Sequence, residues 1–235
     1  MNNNQDTQLS QRIIAAELLG TALFVFFSST LNALAFPSPL QLATGKGMIL
    51  TLLTLTLYSV SLAHFNPCVT FAMFLRGAIS SSAAAIYLTA QFVGSYLGSL
   101  TLKFVIPPAD HIKIIDSTTL SKIALHQAFF IEMLLTFFFI FTILRTLRFK
   151  KPFPTIAVVT GTALGTATLI GHTLSGSVLN YAYYLGPRLV FSDISAILSL
   201  SQLLTYLVAP LTGSLLAWAC DRYFRCDSAC MCTTK

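Results

Sequence analysis

Charge is what this chain has least of. Asp, Glu, Lys and Arg make up 9% of its 235 residues, where a soluble globular domain carries about 25%. That deficit excludes an ordinary soluble enzyme and a disordered chain. Acidic residues are the scarcer sign, eight against fourteen basic ones, for a net charge of +6. Fourteen cations dispersed among long apolar runs make no phosphate-binding face, so a nucleic-acid binder is excluded too. Five cysteines are too few and too scattered for a disulfide framework. The sequence has no Gly-rich phosphate loop, no His-Glu-x-x-His and no Gly-x-Ser-x-Gly. No enzyme, metal site or cofactor is implied.

What the chain does have is apolar length. Residues 13–36 form a run of 24 with one charge, Glu17. Residues 47–75 (29) and 77–102 (26) carry none; residues 123–144 (22) carry one, Glu132. Residues 152–187 (36) and 194–220 (27) again carry none. A helix crossing a hydrocarbon core of about 30 Å needs about 20 residues, so six spans are expected. Residues 1–10 are polar and lack a basic region before a cleavable site, so no leader is expected. Two runs exceed one span. The excess of the first begins at His64-Phe65-Asn66-Pro67 and that of the second near Leu179-Asn180-Tyr181. Asn followed by Pro caps and opens a helix. A short apolar segment starting that way predicts a re-entrant half-helix, tolerated at membrane depth only where it lines a cavity or is buried in protein.

Basic residues set the orientation. Arg145, Arg148, Lys150 and Lys151 follow the fourth span, Arg222, Arg225 and Lys235 follow the sixth, and Arg12 precedes the first. With six spans these fall on one side, which the positive-inside rule makes cytoplasmic. Lys103, Lys113 and Lys122 lie opposite, mixed with Asp110 and Asp116. The expected organisation is a cytoplasmic segment at residues 1–12, a channel domain at 13–220 and a cysteine-containing cytoplasmic tail at 221–235.

The halves of that domain, about 13–106 and 123–220, repeat. Glu17-Leu-Leu-Gly-Thr21 matches Glu132-Met-Leu-Leu-Thr136, Asn66 matches Asn180, and Gln91-Phe-Val-Gly94-Ser95 matches Pro210-Leu-Thr-Gly213-Ser214. Three spans per half invert the second half, which places a functional site at the midplane between them. Ala63-His64-Phe65-Asn66-Pro67-Cys68-Val69-Thr70 resembles the first signature of the aquaporin (major intrinsic protein) family. Ser175-Gly-Ser-Val-Leu-Asn180-Tyr-Ala-Tyr-Tyr-Leu-Gly-Pro187 resembles the second, and the likeness spans nearly the whole chain. Cys68 and Tyr206-Leu-Val-Ala-Pro210 resemble the unorthodox superaquaporin branch.

The resemblance implies an all-α membrane channel of six spanning helices and two half-helices, assembled as a homotetramer in a lipid bilayer. It implies passage of water and small neutral solutes such as glycerol or hydrogen peroxide. Pore-constriction residues are then Asn66, Pro67, Cys68, Asn180, Tyr181 and Ala182; Glu17, Glu132, His64 and Gln91 are structural supports. Two opposed helix N-termini, each worth about half a positive charge, repel cations and protons. By motif alignment the selectivity filter falls at Ile49, Thr168, Ser177 and Tyr183. Two positions depart from the family pattern: Tyr181 replaces the usual Pro, and Tyr183 the usual Arg. No fixed cation is therefore expected at the filter, and exclusion rests on the dipoles.

Each feature has a plainer reading. Glu17 and Glu132 serve as loop braces or, alternatively, as a proton relay. His64 and His172 support loops or gate with pH. Cys68 lines the lumen or packs as a small hydrophobe. Gly94-x-x-x-Gly98 and Gly213-x-x-x-Ala217 pack internal helices or subunits. Cys226, Cys230 and Cys232 suit palmitoylation or a reduced, unmodified tail. At the level of function, a poorly conducting structural protein of the same fold and an ion-coupled carrier are the rivals. The membrane is that of the endoplasmic reticulum or the plasma membrane.

Overall fold

Apolar runs become helices because, in a bilayer, only intrasegment hydrogen bonds can satisfy the backbone. The computed structural model describes residues 3–33, 38–116, 123–192 and 199–225, and these are helical apart from short connections. The spanning helices are α1 (Asn3–Ala33), α2 (Pro39–Ser61), α4 (Ser81–Val105), α6 (Leu125–Arg148), α7 (Phe153–Gly171) and α9 (Leu200–Tyr223). The half-helices are α3 (Pro67–Leu75) and α8 (Tyr181–Phe191), and a short α5 (His111–Asp116) lies in the third connection. Five of the long helices are apolar enough to span on composition alone. The sixth, α4, is 25 residues long but rich in Ser, Thr, Ala and Gly, and it is held by packing against α1 and α8. The tail cysteines and Lys122 lie outside the described residues.

Three boundaries differ from the charge-free runs. Helix α2 starts at Pro39, where Ser38 and Gln41 form a capping box. Lys46, which ends the apolar run in sequence, therefore lies two turns inside the helix and is buried. Helix α8 continues through Pro187 and Arg188 to Phe191. Helix α9 widens to a π-turn over Leu204–Val208 just before Pro210. That turn accommodates a residue lacking an N–H and clashing with the preceding carbonyls.

The packing obeys the inverted repeat. Helix α1 packs on α4 and α6 on α9; α2 and α7 pack on each other between them. The half-helices cross over, α3 contacting α9 and α8 contacting α4. Small residues permit the close crossings. A Cβ on Gly94 or Gly98 would collide with the Leu18 or Ala22 carbonyl of α1, and one on Gly213 with the Met133 carbonyl of α6. These glycines thus serve internal packing. At the end carrying the basic cluster, Arg148 pairs with the buried Asp221 of α9, and Arg145 lies 3.7 Å from the same carboxylate.

Gly94→Leu should force α1 and α4 apart, at a cost of about 1–3 kcal/mol for overpacking. Circular dichroism melts of the detergent-solubilised protein would show the lowered midpoint.

Candidate functional site

Each half-helix is preceded by a loop that the backbone adopts reluctantly. Leu62, Ala63 and Phe65 have φ of 64°, 52° and 49°; Gly176, Ser177 and Leu179 have 92°, 50° and 51°. The two sets correspond position by position in the repeats. A left-handed non-glycine residue costs roughly 1–2 kcal/mol, so something must hold these turns. The carboxylates do. Glu17 accepts from Ser61 Oγ (2.7 Å), the backbone N–H of His64 and Phe65 (both 2.9 Å) and Gln91 Nε2 (2.9 Å). Glu132 accepts from Ser175 Oγ (2.6 Å), Val178 N (3.0 Å) and Leu179 N (3.1 Å). Bonds to a charged acceptor contribute about 1.5–3 kcal/mol each, which outweighs the backbone strain. Every one of these contacts uses the carboxylate as an acceptor. That geometry ties each loop to the span behind it.

Matching hydroxyls complete each loop. Tyr87 donates to Ser61 O at 2.6 Å, and Tyr206, in the π-turn of α9, donates to Ser175 O at 2.7 Å. Gln91 Nε2 also donates to Thr70 Oγ1 at 2.9 Å, and His64 Nδ1 lies 3.2 Å from the same oxygen. The His64 ring is 4.5 Å from that of Tyr87.

Held this way, the loops deliver the asparagines to one place. Asn66 caps α3 by accepting from Cys68 N at 2.8 Å, and Asn180 caps α8 by accepting from Tyr183 N at 3.2 Å. Their amides then cross: Asn66 Nδ2 donates to Leu179 O (3.1 Å) and Asn180 Nδ2 to Phe65 O (2.8 Å). Each half-helix is also pinned by the opposite repeat. Ser95 of α4 donates to Ala182 O at 2.5 Å, and Ser214 of α9 to Cys68 O at 2.8 Å.

A cavity of about 40 Å³ reaches the asparagines from the end bearing the Arg148–Asp221 pair. A water needs about 10–15 Å³ measured this way, so there is room for roughly three or four. Its wall is mostly apolar, with Leu50, Val69, Ile143 and Leu164 among the residues, and Phe24, Asn66 and Asn180 stand at its inner end. Thr54 Oγ1 and His64 Nε2 face it without a protein partner among the described residues.

Of the six residues expected at the constriction, Asn66 and Asn180 line this cavity and the other four do not. Pro67 is the first residue of α3. Cys68 is buried in the hydrophobic core. Tyr181 stacks on Tyr184 at 5.7 Å and meets Phe92 of α4 edge-on. Ala182 is fully buried. The filter expectation needs one correction. Thr168, Ser177 and Tyr183 lie beyond the asparagines and are at most 4% exposed. Ile49 is a half-buried residue at the margin of the core. The α2 side chain that meets Tyr183 is Lys46, its Nζ 5.0 Å from the ring centroid. That contact puts a lysine beside Tyr183, where the sequence predicts no cation. Tyr183 is also anchored by Asn32 Nδ2, which donates to its hydroxyl at 2.8 Å, and by the edge of Phe24 at 5.7 Å.

This arrangement has relatives. The family model of the major intrinsic proteins matches residues 4–220. The chain belongs to the major intrinsic protein family. It is 32% identical over 209 residues to a glycerol uptake facilitator protein-like 6 of Lactiplantibacillus plantarum, covering 88% of this chain and 95% of that one. It is 31% identical over 189 residues to the lens fiber major intrinsic protein of Mus musculus, covering 78% and 72%. Its fold matches the crystal structure of the aquaglyceroporin from Plasmodium falciparum with a TM-score of 0.74 at 21% identity, covering 89% and 94%. As a major intrinsic protein it is an integral, multi-pass membrane channel and not an enzyme.

Glu132→Ala should leave the Ser175 hydroxyl and the amides of Val178 and Leu179 unpaired, at about 1–3 kcal/mol each. A large fall in thermal midpoint, followed by the fluorescence of the single tryptophan, Trp218, is expected. Glu132→Gln, which keeps an acceptor, should lose less.

Proposed function

We propose that the chain conducts water and small neutral solutes, glycerol among them, down their gradients, with no ion coupling. The observation that carries this reading is the asparagine pair. Two side chains from opposite repeats cap opposed half-helices, cross-bond each other's loops and stand on one cavity wall. Each helix N-terminus contributes partial positive charge there, and each amide retains an N–H for a passing oxygen. A water accepting from both asparagines turns its hydrogens outward, which interrupts proton transfer along a file. The name of the Lactiplantibacillus relative supports glycerol as a substrate. Family likeness supports a homotetramer with one path per protomer. The basic cluster around Arg145 and Arg148 supports cytoplasmic termini, in the endoplasmic reticulum or the plasma membrane.

One observation favours a poorly conducting structural role: the Tyr183 ring is buried just beyond the asparagines and tied at both ends. A carrier is less well supported, because both intramembrane carboxylates are occupied by loop donors.

Stopped-flow light scattering of proteoliposomes under an osmotic step separates these readings. Shrinkage several-fold faster than that of empty liposomes is expected, with glycerol entry detected as re-swelling. Rates equal to those of empty liposomes would favour the structural role. Tyr183→Ala, which removes the ring, should raise both water and glycerol rates.

A further inference from the structure

Lys46 is a cation inside a membrane span, 3% exposed, and lysine is almost never buried without a partner. Among the described residues no carboxylate forms an ion pair with it, and its one close aromatic neighbour is the Tyr183 ring. Glu132 is within electrostatic reach, but that carboxylate is already engaged by Ser175, Val178 and Leu179.

Its position on the helix shows where it points. Leu50, Thr54 and Tyr58 of α2 line the cavity, and residues four apart share a helix face. Lys46 is the next member of that stripe, one turn further out. Helix α7 repeats the pattern: Ile156, Thr160 and Leu164 line the cavity, and Thr168 comes next. The Thr168 hydroxyl is fully buried and has no hydrogen-bond partner among the described residues. Both stripes thus continue beyond the cavity, to Lys46 on α2, which meets the Tyr183 ring, and to Thr168 on α7.

We propose that Lys46 is the specificity-determining cation of this channel, supplying from α2 the fixed charge that the family usually places at the position of Tyr183. The inference rests on the channel reading above. A long aliphatic stem lets the ammonium extend along the apolar wall toward the path, and the ring of Tyr183 holds it there by a cation–π contact. A fixed positive charge in a narrow low-dielectric passage lowers the local concentration of cations by roughly 10–1,000-fold and leaves neutral solutes little affected. Charge exclusion then has two stages, the half-helix dipoles at the centre and a whole charge further out.

The test uses the full-length protein in proteoliposomes, with osmotic water flow and uptake of methylammonium at mildly acidic pH, where the amine is charged. Lys46→Met should keep water flow and admit at least about tenfold more methylammonium. Lys46→Arg should stay tight. Adding Tyr183→Arg to Lys46→Met should restore exclusion, because the charge returns from the other side of the path. A counter-ion role toward Glu132 alone would lower the thermal midpoint of Lys46→Met without admitting methylammonium. Water flow with unchanged methylammonium exclusion in Lys46→Met, or in Lys46→Gln should the first variant not fold, overturns the proposal and leaves the channel standing. A wild-type protein that passes neither water nor glycerol overturns the channel reading and the filter with it.

Discussion

Two buried carboxylates make the centre of this protein possible. A half-helix that begins at the middle of a bilayer needs a polypeptide to arrive there in extended, partly left-handed form, with its amides stripped of water. Such a loop has no stability of its own: the backbone resists the turns and the hydrocarbon offers no partners. Glu17 and Glu132 answer both objections at once. Each collects the amides of the two residues just before an asparagine, along with a serine hydroxyl from the start of the loop. The asparagines meet because the loops are held, and the helix dipoles face one another because the asparagines cap them.

The two halves share this skeleton and differ in what they clothe it with. One loop carries the Asn-Pro pair and packs its next residue, Cys68, into the core. The other carries Tyr181, whose ring joins a stack with Tyr184 and Tyr206, and Tyr184 lies under the Arg188 guanidinium at 4.0 Å. Tyrosine in place of proline costs the second half-helix its preset first turn. The aromatic stack and the Ser95 clamp supply alternative anchorage. The surroundings of the asparagines show the same inequality, with an apolar-walled cavity on one side and the buried Lys46, Thr168 and Tyr183 on the other.

Most of the architecture was legible in the sequence, because its signals are strong ones: charge-free length, an asparagine before a proline, and a carboxylate inside each of two spans. Charge also misled. Lys46 ends an apolar run when charges alone are counted, yet Ser38, Pro39 and Gln41 start the helix two turns earlier. A stretch that is helical by its cap cannot be recognised by hydropathy at its rim. Motif alignment puts Ile49 at the filter, whereas the α2 side chain that meets Tyr183 is Lys46, one helical turn earlier. Tyr181 belongs to the motif at the expected constriction, and in the first turn of α8 its ring meets Phe92 of α4. Which face of a half-helix meets the lumen is set by packing between repeats, and the short motif does not encode it. The α5 helix left no periodic signal, since six residues are too few to show one.

The exchanged serines have a consequence for biogenesis. Helix α3, nine residues long, has a carbonyl tied by Ser214 of α9, more than a hundred positions downstream and so later to leave the ribosome. Until α9 is threaded into the membrane, α3 lacks that clamp, although Glu17, Gln91 and Tyr87 of its own repeat already hold the loop before it. Each half-helix therefore gains its full set of contacts only when the other half is in place. A helix synthesised late clamps one synthesised early.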